Sequence, residues 1–511
     1  MNKLLVALVL SAAVTLSGCS SQSEVASVAA GEKKATLLYH FKSGSLDPHN
    51  EWAVLRAGVT ETLVRLDDRL QVAPWLATKW ETKDNRTWVF TIRDGVTFSD
   101  GSTLDAAAAK ASLERAVKAS KTIGKALKIV SMEANGQELT IVTSDPHPSL
   151  PSELINPYTS VISVAAEQKM GTEAFNKAPV GTGPFKVTGF TPNSEILLER
   201  NESYWDGPAK LEEVVFKFNE DGNVRALALQ SKEADIATQL PAETVAAIQK
   251  DSDLRVESVP SLRAHFLLFN QQKPLLQDIR VRKAVDLLIH RDSIAKDVML
   301  GHATPANGPF NTRLPFGSTD EVQQQNLDEA KNLLQQSGFQ TGADGKLTKD
   351  GQPLTLELIT YKARPELPLI SQLIQSDAAK IGVAVTIKNV ENADTYLREN
   401  KDWDLATYSN LSAPRGDGGY FLNSALMPGG SVNAAGISNP KLSEVVNRLN
   451  ATSDIAQRIA LTQEAVSVIK LEVLHTYAVY PNLLVGVNQR VTGWKPGPEE
   501  YYILTNKLDV K

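Results

Sequence analysis

The stretch VAPWLATKWETKDNRTWVFTIRDGVTFSDGSTLDAAAAKASLERA, residues 72–116, contains two different hydrophobic periodicities in succession. Within it, TWVFTIRDGVTF (87–98) alternates apolar and polar residues around Asp94-Gly95, which predicts a β-hairpin. The segment 103–119 then has the spacing of a helix, with Thr103 or Asp105 near its N-cap. Strands followed directly by a helix predict a mixed α/β unit.

Strand-like and helix-like stretches alternate along the rest of the chain, which extends the α/β prediction to the whole protein. The predicted strands are 34–41, the first part of 193–205, 212–219, 263–271, 352–361 and 383–390. The predicted helices are 224–233, 278–299, 327–338 and 367–382, the last two closed by Gly338 and Gly382. The order strand, helix, strand over 352–390 predicts a crossover unit in a partly parallel sheet.

Length and composition describe a globular protein with more than one core. A chain of 511 residues should divide into two or three subdomains, and 42% hydrophobic with 22% charged residues argues against disorder. The net charge is −6, and no Lys/Arg-rich cluster with interleaved aromatic residues is present. We therefore expect no nucleic-acid partner.

The first residues, MNKLLVALVLSAAVTLSGCS, have the layout of a secretory signal: a positive charge at Lys3, a short apolar run and then small residues. The run ends in Leu-Ser-Gly-Cys, which resembles a bacterial lipobox with Cys19 as the lipidated residue. Cys19 is the single cysteine of the sequence, so no internal disulfide can form. The small, polar segment that follows predicts a flexible tether from membrane to domain. The alternative is a plain cleavage site beside an incidental cysteine.

Several further motifs along the chain, together with 72–116, resemble the bacterial extracellular solute-binding proteins of family 5, which feed peptide and nickel ABC importers. They are GTGPFKV (181–187), LERNESYWDG (198–207), RALALQSKEADIA (225–237) and DIRVRKAVDLLIHRDSI (278–294). The physical interpretation of these motifs is mainly structural. Gly181 and Gly183 suit a tight crossing of the chain, and Tyr204 and Trp205 suit core or cleft-wall positions.

The resemblance implies a two-lobed α/β periplasmic-binding-protein fold whose lobes are hinge-linked and close over a ligand, with an extra subdomain in lobe one. The implied divisions are a signal peptide (1–18), a lipid-anchored tether (19–34), a discontinuous lobe I core (35–70, 181–264 and 479–511), an inserted subdomain (71–180) and lobe II (265–478).

The loop YSNLSAPRGDGGYFLN (408–423) should decide the ligand. In peptide-binding relatives the resemblance places an aspartate near this Gly-Asp step, where it pairs with the amino terminus of the peptide. Here Pro414 stands at that position and Arg415 follows, which disfavours an ammonium group and favours carboxylates. The expected ligand-binding residues are Tyr408, Arg415, Asp417, Tyr420, Asn423 and Trp52. The alternative for Arg415 is a solvated loop residue.

Carboxylate-rich ligands in this family are metal chelates, which directs the prediction to nickel or a related transition metal. The chelator would be free histidine or an opine-type metallophore, and the alternative function is a receptor for di- or oligopeptides. The candidate metal ligands are His475 in LEVLHTYAVY, His40 at the end of the first strand and His49 in SLDPHNEW. Core packing is the competing interpretation of His475, and it is the preferred one for His265.

An enzymatic function has little support, because the sequence has no nucleophile elbow, His-Glu-x-x-His motif or phosphate-binding loop. The resemblance implies a monomer that works with the membrane permeases of an ABC importer. It also implies a location in the periplasm or on the cell surface, with a lipid anchor in the membrane. We expect no covalent cofactor, since nickel would be carried as the chelate being transported.

Overall fold

The computed structural model describes residues 33–511, so the predictions of a signal peptide, a lipidated Cys19 and most of the tether lie outside the described residues. The strands in chain order are β1 Lys34–Tyr39, β2 Val64–Leu66, β3 Val72–Pro74, β4 Ala77–Thr82, β5 Thr87–Ile92, β6 Ile129–Asn135, β7 Glu138–Thr143, β8 Phe185–Thr191, β9 Glu195–Arg200, β10 Glu213–Phe218, β11 Ile236–Ala237, β12 Leu254–Pro260, β13 Arg263–Phe269, β14 Ala303–Pro305, β15 Gln340–Thr341, β16 Leu347–Lys349, β17 Gln352–Pro353, β18 Thr355–Tyr361, β19 Ala384–Val390, β20 Leu405–Leu411, β21 His475–Asn488, β22 Val491–Thr492 and β23 Asp509–Val510.

The α-helices in chain order are α1 Ala53–Arg56, α2 Ala106–Ala119, α3 Lys121–Leu127, α4 Leu150–Glu153, α5 Val164–Met170, α6 Thr172–Phe175, α7 Gly222–Gln230, α8 Ala242–Ile248, α9 Pro274–Gln277, α10 Ile279–Leu287, α11 Arg291–Ser293, α12 Leu327–Gln336, α13 Glu366–Lys380, α14 Ala393–Glu399, α15 Gly419–Phe421, α16 Pro440–Ala451 and α17 Ile455–Leu471. A 3₁₀ turn spans Pro157–Thr159, and π-helical turns span Ile294–Val298 and Leu422–Leu426. Among residues 33–511, none of these helices combines the length and the apolar character needed to cross a membrane.

The long strand β21 joins two halves of one sheet. Its first residues pair with β13, and the residues from Asn482 to Asn488 pair with β12 and β11. On one side β11 leads to β1, β10, β9 and β8, and on the other β13 leads to β20, β18 and β19. We call the half containing β1 lobe I and the half containing β13 lobe II. The domain boundaries given above stay a prediction.

Two of the local predictions are confirmed in lobe II. Strands β18 and β19 pair in parallel with α13 between them, as the crossover pattern predicts. Helices α12 and α13 end shortly before Gly338 and Gly382, both of which lie in the left-handed region with φ near 101° and 82°. Only glycine adopts that conformation without strain, so these two residues stop their helices.

The predicted hairpin at 87–98 is wrong, although β5 forms within it. The strand pairs with β4 and β7 of a separate four-stranded sheet, and residues 94–95 turn the chain without a returning strand. β4 and β7 therefore pair with β5 in place of the returning strand that Asp94-Gly95 suggested. The helix that follows is confirmed, and Asp105 is its N-cap, accepting from the Ala108 backbone N–H at 2.8 Å.

The glycine-rich segment 181–184 packs directly on the backbone after α1. The N–H of Gly183 donates to the Val59 carbonyl at 3.0 Å, and the N–H of Phe185 donates to the Gly58 carbonyl at the same distance. A Cβ atom at Gly183 would lie 2.2 Å from the Gly58 oxygen, and one at Gly181 would lie 2.2 Å from the Val59 oxygen. Two backbones therefore touch here, and neither glycine position has room for a side chain.

A buried carboxylate ties this crossing to the aromatic pair that follows β9. Glu61 accepts hydrogen bonds from the Thr182 hydroxyl at 2.8 Å, the Tyr204 hydroxyl at 2.7 Å and the Trp205 indole N–H at 3.0 Å. Burial raises the pKa of Glu61 to about 7, although the three donors favour the charged form. The motifs 181–187 and 198–207 of the sequence analysis thus meet at Glu61.

Gly183→Ala should destabilise the fold by about 1–3 kcal/mol or more, because its methyl group would overlap a backbone carbonyl that hydrogen bonds hold in place. Urea unfolding measures the effect. The matched control is Gly124→Ala in α3, whose added methyl has no neighbour closer than 3.6 Å and which should be neutral or stabilising. Equal stability of the two variants would contradict the close crossing.

Candidate functional site

Three arginines lie at one edge of the lobe II sheet because of its topology. Strands β18 and β20 run parallel, so their carboxyl ends, which lead to Arg364 and Arg415, share an edge. Strand β13 runs antiparallel to β20 and places Arg263 opposite Leu411 at the same edge. Crevices at the carboxyl ends of parallel strands are the usual binding sites of open α/β sheets.

This edge faces lobe I. The guanidinium of Arg263 donates to both carboxylate oxygens of Glu500, at 3.2 and 3.3 Å. Arg364 lies over the ring of Phe41, which follows β1, at 5.7 Å from the ring centre. The segment that carries Glu500 packs in the lobe I core through Trp494 and Ile503. The arginine edge is therefore in contact with the other half of the molecule.

A small cavity lies on the lobe I side of these contacts. Its polar lining includes Tyr39, His40, Thr238, Glu499 and Glu500, and the rest of its wall is largely apolar. Within the described residues, the Tyr39 hydroxyl and the His40 Nε2 atom are buried without a hydrogen-bond partner. The other ring nitrogen of His40 lies 3.2 Å from the Thr238 hydroxyl. Buried polar atoms are nearly always bonded, so two lone ones beside a single cavity make this cavity the candidate site.

The electrostatic surroundings of His40 are strongly positive. Burial lowers its pKa well below the usual value, and four guanidiniums, those of Arg364, Arg225, Arg56 and Arg263, lower it further. His40 is therefore a neutral imidazole at physiological pH, which is the form that binds a transition metal.

The arginines around the cavity are only partly neutralised. Glu500 pairs with Arg263, while Arg56 donates to the Glu500 backbone carbonyl at 2.9 Å and lies over the rings of Tyr39 and Trp52. Arg364 is 4% exposed, and no carboxylate in the described part of the chain lies within ion-pair distance of it. Glu500 and Glu366 act on Arg364 without forming an ion pair with it, and the pKa of Glu366 falls to about 2 beside His265 and Arg364. The site therefore offers positive charge to an acidic guest.

Arg415 is buried, at 5% exposed, so the solvated-loop alternative is wrong. Its guanidinium forms an ion pair with Glu153 of α4 and lies 4.0 Å above the ring of Tyr420. The sequence analysis expected Arg415 to bind a carboxylate of the ligand. In the structure, a carboxylate of the protein itself is its partner. Tyr420 is half-buried at this contact.

Two other residues of the same loop are held by the protein. Asp417 accepts from Arg458 at 2.6 and 3.0 Å and also from the Gly419 backbone N–H. The amide of Asn423 forms a reciprocal pair of hydrogen bonds with that of Asn450, each 2.9 Å long. These bonds fix the loop on α16 and α17, so we leave Asp417 and Asn423 out of the site that we propose.

The two remaining predicted contact residues lie in different places. Trp52 packs edge-on against Tyr158 and Tyr501, with ring centres 5.8 and 5.7 Å apart. Tyr408 donates its hydroxyl to Asp394 and packs edge-on against Phe266. Trp52 is therefore adjacent to Tyr501 of the cavity wall, whereas Tyr408 belongs to the lobe II side.

The structure does not bring the three predicted metal ligands together. His49 is held on both sides, by the Ser160 carbonyl at 3.0 Å and Arg115 at 2.9 Å. His475 stacks on Phe266 at 5.2 Å and lies 3.3 Å from the Tyr477 hydroxyl. Residues 33–511 contain no group of three or more His, Cys, Asp or Glu side chains placed to hold a metal ion. Of the three, His40 alone borders the cavity, so a bound metal would need most of its ligands from the guest.

The other histidines have structural partners or lie outside this site. His265 bonds Glu366 at 2.6 Å, His147 bonds the Ala126 carbonyl at 2.7 Å and His302 lies 3.0 Å from the Ser258 hydroxyl. His290 is exposed.

Sequence reasoning missed Arg364, Arg263, Glu500 and Glu153. A signal existed for Arg364, because it follows a predicted parallel strand of a crossover unit, where ligands commonly bind. Glu153 and Glu500 had no such signal, since each is defined by a partner more than two hundred residues away.

Two α/β halves that share a long strand and enclose a positively charged site define a two-lobed solute-binding protein. The model of "Bacterial extracellular solute-binding proteins, family 5 Middle" matches residues 71–433, and the chain belongs to that family. It is 31% identical to the nickel-binding protein NikA of Staphylococcus aureus over 505 residues, 99% of each chain.

Two solved structures extend the comparison. The crystal structure of NikA from S. aureus in complex with Ni(L-His)2 has a TM-score of 0.84 at 30% identity and covers 94% of this chain and 100% of its own. The crystal structure of a nickel ABC transporter protein from Bacillus halodurans has a TM-score of 0.77 at 41% identity, with the same coverage. The two-lobed α/β fold is thereby confirmed.

His475→Phe should reduce the loss of stability in acid. Burial lowers the pKa of His475 to about 3, so the folded protein keeps the ring neutral while the unfolded chain protonates it below about pH 6.5. Stability due to this residue is thus present above pH 6.5 and is lost as the pH falls towards 3. Urea unfolding at pH 7.5 and pH 5 measures the difference, with exposed His290→Gln as the control. An unchanged pH dependence would contradict the core interpretation.

Proposed function

We propose that this protein is the ligand-capturing receptor of an ABC importer and that it binds a chelate of nickel or a related transition metal between its lobes. The chelator is free histidine or an opine-type metallophore. The proposal rests on one observation about the cavity. The Nε2 atom of His40 is buried and has no hydrogen-bond partner among the described residues, its ring is neutral, and the arginines around it are only partly neutralised.

The charges explain why the guest should be rich in carboxylates. A buried guanidinium without a counter-charge costs about 3–5 kcal/mol, and a carboxylate that pairs with it offsets this cost. Arg364 forms no ion pair in the described residues, so Glu500 and Glu366 compensate its charge only in part, and its planar group can bind a carboxylate through two hydrogen bonds. The amino acids of a nickel chelate carry carboxylates that face outward from the metal.

His40 supplies the second half of the recognition. Its Nε2 atom can supply one additional ligand, because the described residues contain no group of three or more His, Cys, Asp or Glu side chains placed to hold a metal ion by themselves. One imidazole is a weak site for bare nickel but suits a chelate with an open coordination position. The S. aureus relative was crystallised with Ni(L-His)2, which supports this class of guest.

The remaining parts of the proposal follow from the family. The receptor delivers its guest to membrane permeases, works as a monomer outside the cytoplasm, uses a lipid on Cys19 as its anchor and catalyses no reaction. Palmitate labelling of the full chain, with Cys19→Ala as the comparison, tests the anchor.

A short peptide is the other guest that the sequence left open. Its ammonium group requires a free carboxylate, and Asp417, the one carboxylate of the 408–423 loop, is already bonded to Arg458. The peptide alternative therefore has less support, and peptide binding is a possible outcome of the same titrations.

Arg364→Met should weaken capture of nickel with excess L-histidine by roughly 10–100-fold, because the carboxylate of the guest loses a charged partner worth about 1.5–3 kcal/mol. Isothermal titration measures the affinity. Lys362→Met is the matched control, since it removes a cation from an exposed position of the same loop. Equal losses in the two variants would refute the role of Arg364.

His40→Phe should weaken capture of the nickel–histidine complex while the melting temperature changes little, because the ring volume is kept and one metal ligand is lost. The d–d absorption of bound nickel should also shift, which a purely structural role would not cause. Bare nickel that binds the wild-type protein as tightly as the chelate would contradict the proposal.

A further inference from the structure

An ion pair joins two parts of the chain that lie 262 residues apart, on either side of the junction between the lobes. Glu153 is the last residue of α4, in the segment predicted as the inserted subdomain, and Arg415 lies in the loop after β20 of lobe II. The side chains of Glu153 and Arg415 are 12% and 6% exposed. Their charges are therefore desolvated, and each is the main counter-charge of the other.

The position of Arg415 is fixed by close packing. Gly416 follows it with φ near 70°, and a Cβ atom there would lie 2.4 Å from the Leu70 carbonyl oxygen. The loop after β20 thus rests directly on the turn after β2, which belongs to the other side of the junction. The backbone of the loop that carries Arg415 is therefore held at this contact.

Arg415 lies one side chain behind the wall of the cavity. The Tyr501 hydroxyl lies beside its guanidinium, and the Tyr501 ring borders the cavity that holds the unbonded His40 atom. The Nε atom of Arg415 is itself buried and has no partner among the described residues. A change of charge at this point acts on the cavity through protein rather than through water.

Glu153 is the carboxylate that neutralises Arg415. The nearby Asp417 is bonded by both of its oxygens within lobe II, to Arg458 and to the Gly419 N–H. Burial raises the pKa of Glu153, while the Arg415 guanidinium opposes this shift. The charge of Glu153 thus decides whether the part of the cavity wall formed by Tyr501 and Arg415 is neutral or positive.

We propose that Glu153 determines the charge specificity of the site: by cancelling Arg415 it sets the wall to neutral, so that the receptor favours chelates of low net charge over strongly anionic ones. The inference rests on the proposed function and assigns one residue to the choice among metal chelates. It implies that the guest's carboxylates are met by Arg364 and its neighbours and that Arg415 is kept out of that contact.

The expected size follows from Coulomb's law. At a separation on the order of 10 Å and an effective dielectric constant of about 20, one added charge pair changes a binding constant by on the order of tenfold. Neutralising Glu153 should thus favour an anionic guest over a neutral one by about that factor for each negative charge.

The test uses Glu153→Gln and two preformed nickel complexes, the neutral complex with L-histidine and the anionic complex with EDTA, each titrated by calorimetry at pH 8. The variant should bind the EDTA complex at least about tenfold more tightly relative to the histidine complex than the wild-type protein does. The double variant Glu153→Gln/Arg415→Gln should lose this gain, because the uncovered cation is gone. Glu173→Gln, which removes an exposed carboxylate paired with Lys177, is the surface control.

A second measurement separates this inference from the proposed function. Citrate alone should raise the melting temperature of Glu153→Gln more than that of the wild-type protein or the double variant, since the uncovered charge of Arg415 attracts its carboxylates through the wall of the cavity. A wild-type protein that ignores nickel–histidine would refute the proposed function and leave the citrate result to decide the role of Glu153. Unchanged preference between the chelates together with an absent citrate effect would overturn the inference, even if nickel–histidine binds.

Discussion

Desolvated guanidiniums at the junction of the lobes are the constraint on which the rest of this structure depends. Burial keeps the ring of His40 neutral, and four guanidiniums, those of Arg364, Arg225, Arg56 and Arg263, lower its pKa further. Burying so much like charge is unfavourable unless other groups compensate it. The carboxylates of Glu366 and Glu500 compensate part of it, and a carboxylate-bearing guest is the natural source of the remainder.

The fold places these charges by topology rather than by local sequence. Parallel β18 and β20 bring the loops that carry Arg364 and Arg415 to one edge, and β21 holds that edge against lobe I. The backbone contact between 58–59 and 181–183 and the Glu61 hydrogen bonds stiffen lobe I next to the junction. A rigid wall of this kind keeps like charges close together, because its atoms cannot relax away from them.

The features that the sequence predicted correctly are those with a local cause. The capping side chain of Asp105 and the helix ends at Gly338 and Gly382 need only nearby residues, and the α/β crossover follows from periodicity. The hairpin at 87–98 failed because β5 found better partners in β4 and β7, which turn chemistry does not report. The sequence singled out Arg415, but no local pattern identifies its partner Glu153. The position of Arg364 in the site became evident only from the parallel pairing of the strands.

The central claim is that the junction binds the carboxylates of a metal chelate. A crystal structure of the protein grown with nickel and L-histidine, with diffraction recorded at the nickel absorption edge, tests it most directly. The account predicts an anomalous peak beside His40 Nε2 and a carboxylate of the chelator on Arg364. A peptide with its ammonium end next to residues 413–417, or nickel bound away from His40 and Arg364, would contradict it.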